Sequence, residues 1–96
     1  MMTKITLPAV HPGEILREEY LAPLKLSAGS LAKFLGLPRT RIERVATEQT
    51  SITVDTALRL AKYFNTTPGF WLNMQNSYDL ATSKTDVSDI PTMEVA

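Results

Sequence analysis

S-A-G-S-L-A-K-F-L-G-L-P-R-T-R-I-E-R-V-A-T, residues Ser27 to Thr47, is the stretch whose reading decides the fold. It divides at Gly36 into two short helices. Leu31, Ala32 and Leu35 fall at i, i+1 and i+4, which is one face of the first helix. Ser27 suits its N-cap, where a hydroxyl takes one of the orphan amides that open a helix. Gly36 ends it, because the closing residue enters the left-handed region and glycine does so at no steric cost. Pro38 opens the second helix, in a first turn that has no use for the missing N–H. Ile42, Val45 and Ala46 share its apolar face and leave Arg39, Thr40, Arg41, Glu43 and Arg44 outward. Two helices crossing over a short glycine-containing turn make a helix-turn-helix, whose second helix can enter the major groove of DNA.

Charge is placed to match. Residues 25–47 hold Lys25, Lys33, Arg39, Arg41 and Arg44 against Glu43 alone, five cations to one anion. The rest of the chain carries five basic and nine acidic side chains, so a formal net charge of zero hides a one-sided molecule. A basic face steers towards polyanions, and duplex DNA is the largest polyanion a helix can enter.

With 96 residues the chain is one small domain, near the lower limit for a self-sufficient core, and such domains often gain stability by dimerising. No apolar run approaches a transmembrane length and no secretory segment follows Met1. Cysteine is absent, which excludes a disulfide framework and thiolate metal sites. The expectation is a cytoplasmic protein with no membrane contact, no metal and no cofactor.

Outward from the central pair, residues 1–10 form an N-terminal arm, with Pro8 as a breaker; extended and disordered readings both stand. His11-Pro12-Gly13-Glu14 opens a first helix, with Glu14 near its positive end. Ile15, Leu16, Tyr20 and Leu24 are expected on its buried face, and Arg17, Glu18 and Glu19 in water. Pro23 ends or bends it. His11 is the only histidine, without a second ligand or a nucleophile near it, and reads as a structural or capping residue. Thr53 caps a fourth helix with Asp55 in its first turn. Val54, Ala57, Leu58 and Ala61 recur at helical spacing there, Leu60 and Phe64 widen the stripe, and Arg59 and Lys62 mark the solvent side. Thr67-Pro68 starts a fifth helix running to about Ala81. Phe70 and Trp71 are expected mainly in the core. Leu72 and later residues, Gln75 and Asn76 among them, are expected partly at a subunit contact, because so many large apolar groups exceed what a small core buries. The helix-turn-helix domain thus covers residues 11–81, and 82–96 is a slightly acidic tail, either disordered or extended and ordered by a partner. The chain has no paired-carboxylate cleft, no glycine-rich phosphate loop and no nucleophile motif, so it does not read as an enzyme.

Three separated motifs carry a resemblance: H-P-G-E-I-L-R-E-E-Y-L from His11, L-S…L-A-K-F-L-G-L-P-R-T-R-I from Leu26, and I-T…T-A-L-R-L-A-K-Y-F-N-T-T-P-G-F-W-L-N-M-Q from Ile52. Over about residues 10–81 the chain resembles the HigA antitoxins, also called virulence-associated protein I, within the XRE, lambda-repressor-like helix-turn-helix proteins. The Pro…F-W-L-N-x-Q segment is the most specific part. The resemblance implies an all-α, five-helix domain with the helix-turn-helix at helices 2 and 3. It also implies a homodimer through the C-terminal helix region, with Leu72, Gln75 and Asn76 at the contact. Such a dimer binds a palindromic operator in double-stranded DNA, represses its own operon and neutralises a RelE-like, mRNA-cleaving toxin. The alternative is a protein-interaction module, or a general transcriptional regulator, without a toxin partner.

On the same resemblance, Arg39 and Thr40 take the positions that meet base edges, with Glu43 as a third candidate. Arginine forks onto guanine and threonine touches the thymine methyl. Arg41 and Arg44 fall to phosphates, and Ser27, Lys33, Pro38 and Thr47 complete the expected DNA-binding set. Two departures stand out. Ala28, followed by Gly29, replaces the usual Gln of the first motif helix. T-E-Q-T-S from Thr47 replaces a loop that usually reads N-G-K-x-G, which puts Glu48 at the DNA edge with the wrong sign. Both changes remove phosphate contacts and predict weaker or differently placed DNA binding.

Overall fold

The computed structural model describes residues 9–94, in five helices and no strand among those residues. Helix α1 covers residues 12–24 in three segments, Pro12–Ile15, a π-helical Leu16–Leu21 and Ala22–Leu24. Then follow α2 (Ala28–Leu35), α3 (Arg39–Ala46), α4 (Val54–Phe64) and α5 (Pro68–Thr82). Residues 83–94 are exposed and hold a single turn, closed by the Ile90 amide on the Val87 carbonyl at 3.0 Å. The arm expected over residues 1–10 lies, as far as Pro8, outside the described residues.

Local chemistry places most helix ends where the sequence puts them. Ser27, Thr53 and Thr67 cap α2, α4 and α5, each accepting a backbone amide on its hydroxyl. His11 caps α1: its Nδ1 accepts the Gly13 amide at 2.8 Å, and its ring meets Tyr78 edge-on. Gly36 closes α2 at φ 70°. Pro38 is one position earlier than expected: it is the extended N-cap of α3, and Arg39 is the first helical residue.

Two faces are rotated from the expectation. In α1 the π turn bonds i to i+5, so Leu16 and Leu21 come to one side and both are buried. Leu24, expected inside, is exposed, and Ile15 is only half-buried. In α4 the buried residues are Thr56, Ala57, Leu60 and Ala61; Val54 and Leu58 face solvent. Phe70, expected mainly in the core, is 39% exposed and stands on its rim against Trp71.

Trp71, fully buried, is the keystone. Tyr20 of α1 and Phe64 of α4 pack on it at ring-centroid distances of 5.3 and 6.4 Å, and its indole N–H donates to the Thr66 hydroxyl at 2.9 Å. Around it stand Leu16, Leu31, Leu35, Ile42, Val45, Ile52 and Leu60. Gln75 is also buried: its Oε1 accepts the Ile52 amide at 2.8 Å and its Nε2 donates to Asp79, so α5 anchors the start of the segment leading into α4. No described helix is long and apolar enough to cross a membrane.

Candidate nucleic-acid interface

Helix α3 is pressed onto the domain by Ile42, Val45 and Ala46, which are buried against the core that α2 contributes to through Leu31, Ala32 and Leu35. Its far end meets α1 at very close range. A Cβ at Gly13 would lie 1.8 Å from the Val45 carbonyl oxygen, so only glycine lets the two backbones approach this way. The last carbonyls of both motif helices are then bonded from outside. Arg17 of α1 donates Nη1 to the Ala46 carbonyl, and Arg59 of α4 donates Nη1 to the Leu35 carbonyl at 2.7 Å. A guanidinium at a helix C-terminus satisfies an orphan acceptor and opposes the negative end of the dipole. Arg17 and Arg59, expected to face water, are thus part of the scaffold.

The outer side of α3 carries Arg39, Thr40, Arg41 and Arg44, all exposed, with Glu43 half-buried between them. Arg39 pairs with Glu43 one turn on, and its aliphatic stem crosses Gly29, 3.5 Å from where a Cβ would stand. Arg41 pairs with Asp55 of α4 at 2.7 Å, and Asp55 also accepts from Arg59 at 3.2 Å. Hydrogen bonding by Arg59 first, then the neighbouring charges of Arg59 and Arg41, hold the Asp55 carboxyl below its ordinary value. Pro38, Thr40, Arg41 and Arg44 share an open groove of about 500 Å³ with Thr50, Ser51, Thr53, Asp55 and Thr56. The two guanidinium groups and the hydroxyls can donate to an anion there, while the Asp55 carboxylate in the same groove already holds Arg41.

Ser27 caps α2, taking the Ser30 amide at 3.0 Å, and Lys33 is exposed in the last turn of that helix. Thr47 sits at the C-cap of α3, with its hydroxyl donating to the Glu43 carbonyl at 2.8 Å. Glu48 does not stand free at the DNA edge: it pairs with Arg17 at 3.2 Å. Of the three residues expected at a subunit contact, Asn76 is exposed, Leu72 is half-buried and leans on the core, and Gln75 is enclosed within the chain. Thr50 and Ser51 are expected only as part of a loop that lacks the family's phosphate contacts, and Asp55 only as a helix-end charge; their place in the groove follows from how α4 docks. The described residues hold no group of acids and histidines placed for a metal ion.

Comparison with known proteins agrees with this arrangement. A family profile described as helix-turn-helix matches residues 16–71. Virulence-associated protein I of Dichelobacter nodosus is 53% identical over 87 residues, 91% of this chain and 81% of that protein. The Pseudomonas aeruginosa antitoxin HigA, solved with the higBA promoter, superposes with a TM-score of 0.77 at 41% identity, covering 78% of this chain and 82% of that one. The antitoxin GraA, solved in complex with its operator, superposes with a TM-score of 0.82 at 36% identity, covering 99% of this chain and 100% of that one. A helix-turn-helix of the expected fold, exposed arginines along its second helix, and identity over most of the length of these proteins place the chain in the helix-turn-helix family of the HigA antitoxins and virulence-associated protein I.

Proposed function

We propose that this protein is the DNA-binding antitoxin of a toxin–antitoxin pair, working in the cytoplasm as a homodimer that represses its own operon and neutralises an mRNA-cleaving, RelE-like toxin. The observation that carries the DNA part is the outer face of α3: Arg39, Thr40, Arg41 and Arg44 exposed on a helix whose C-terminal end is held by Arg17, beside a groove of hydroxyls. HigA and GraA, similar in sequence and fold, were solved with a promoter and an operator. In this reading Arg39 and Thr40 meet base edges, and Glu43 orients Arg39 rather than reading a base itself. Arg41 and Arg44, with Thr50, Ser51 and Thr53, hold a phosphate strand. The toxin part rests on family membership. This family is one of regulators rather than enzymes, and the site is built for charge and shape, not for bond breaking.

One recognition helix spans only a few base pairs, so a two-fold dimer is needed to place two of them a DNA turn apart. The side of α5 that carries exposed Asn76 supplies the surface. The test is a footprint on the region upstream of the protein's own reading frame. Two protected half-sites about 34 Å apart are expected. A single protected patch, or none, would remove the dimeric repressor. A second reading, an interaction module of weak DNA affinity, is favoured by one observation: Arg39 and Arg41 are already paired with carboxylates of the same chain. Pull-down of the toxin without a footprint would decide for it.

A further inference from the structure

Glu48 stands one residue past Thr47, the C-cap of the recognition helix, where a free carboxylate would repel phosphate. Its backbone is left-handed, φ 65°, a conformation that strains a residue with a Cβ. The strain persists because the surroundings fix it. Glu48, Gln49 and Thr50 send their amides back to the Val45 and Arg44 carbonyls at 2.9, 2.8 and 3.3 Å. On the side-chain side, a single guanidinium does the holding. Arg17 donates Nη1 to the Ala46 carbonyl, Nη2 to Glu48 Oε2 at 3.2 Å and Nε to Glu18 Oε1 at 2.9 Å. It therefore grips the last residue of α3 and the loop carboxylate at once, which the fork geometry of arginine permits and a lysine point charge does not.

We propose that Arg17, although not itself placed against DNA, is a positioning residue for DNA binding: it ends the recognition helix in a fixed turn and keeps the Glu48 charge off the edge that meets phosphates. The inference rests on the DNA reading above. Its physical basis is a count of charges. The segment T-E-Q-T-S brings no cation of its own, so the pairing of Glu48 with Arg17 decides whether its charge is offset at this edge. A negative edge opposes the counterion release that drives binding to duplex. Glu18, the other carboxylate on Arg17, points the same way: the cluster holds one cation and two anions, and all of it hangs on Arg17.

Four proteins test this: the wild type, Arg17→Gln, Glu48→Gln and the double variant, each checked by thermal melting. They are titrated at several salt concentrations against a duplex from upstream of the protein's own reading frame and against a random duplex. Arg17→Gln is expected to lose about tenfold in affinity for both duplexes and to show a flatter salt dependence. Glu48→Gln alone stays within about twofold of the wild type, and adding it to Arg17→Gln restores most of the loss. A double variant as weak as Arg17→Gln overturns the proposal, since a purely structural arginine cannot be rescued by removing a charge elsewhere. Undiminished binding by Arg17→Gln overturns it too. Should Arg17→Gln not fold, the neutral Arg17→Met takes its place with the same comparison. Amide exchange at Gln49 and Thr50 reads the clamp without DNA, and Arg17→Gln should speed it at least about tenfold. A wild type that binds neither duplex defeats the DNA reading, while unchanged exchange defeats the clamp, so the two failures are told apart.

Discussion

Gly13→Ala is the smallest perturbation that reaches the recognition helix. In an exposed helix this change stabilises by about 1 kcal/mol, because glycine loses more backbone entropy on folding. Here the added methyl would stand 1.8 Å from the Val45 carbonyl oxygen and 2.9 Å from its carbon. Both are backbone atoms, so no side chain can swing away, and α1 and α3 must separate by more than an ångström. Overpacking of that kind costs about 1–3 kcal/mol and sometimes more. The methyl would also crowd His11 Nδ1 at 3.0 Å, and separation of the helices draws Arg17 away from the Ala46 carbonyl. The net expectation is a loss of about 2 kcal/mol or more, which lowers the melting temperature of a domain this size by roughly 10 °C. Gly69→Ala is the control: its methyl would meet nothing nearer than 3.8 Å, so it should leave the melting temperature unchanged or raise it. Urea and thermal melts of both variants give the answer. A Gly13→Ala protein as stable as the wild type would mean that α1 and α3 do not approach as described.

Other consequences are open to the same instruments. Trp71→Ala should cost about 3–5 kcal/mol, since the ring is fully buried and its neighbours Tyr20 and Phe64 cannot close the void; a shift of a degree or two would deny the keystone role. Because Asp55 has its carboxyl held down in the folded state, its contribution is present above the ordinary aspartate value and fades as pH falls through the lowered one. The wild type should therefore melt above Asp55→Asn at neutral pH and converge with it in strong acid, whereas a constant gap would rule out the charge as the cause. Asn76→Glu, on an exposed position of α5, should leave the protomer folded, favour monomers in light scattering and weaken operator binding at least tenfold. A dimer unaffected by that charge would place the subunit contact elsewhere.

How much of this was legible in the sequence divides along a physical line. Caps are local: a hydroxyl and an amide three residues apart, or a glycine that must turn left, are decided within one helical turn, so Ser27, Thr53, Thr67 and Gly36 read correctly. The motif faces read correctly too, because α2 and α3 keep the 3.6-residue period over two turns. The period misleads where the helix departs from it. The π turn brings Leu21 inside in place of Leu24, and nothing in L-R-E-E-Y-L announces the extra residue per turn. In α4 the apolar residues outnumber the places the core offers, so the stripe alone could not say that Val54 and Leu58 would be left out. The contacts that set the recognition helix are non-local. Gly13 meets Val45, Arg17 meets Ala46 and Glu48, and Arg59 meets Leu35, at separations that no spacing rule spans. The two arginines looked like solvated charges because long side chains carry the charge far from the face where the Cα sits. Glu48 looked unpaired because its partner lies 31 residues away.

The central claim, that α3 reads DNA with divided labour along its face, is tested most directly by titrating Arg39→Ala and Arg41→Ala against operator and scrambled duplex of equal length. The two variants should fail differently. Arg39→Ala should cost about 1–3 kcal/mol on the operator and far less on the scrambled duplex, because it removes base reading. Arg41→Ala should weaken both duplexes alike and reduce the salt slope by about one, because it removes a phosphate contact. Equal losses from the two variants on both duplexes would contradict the assignment of base reading to Arg39 and of phosphate to Arg41.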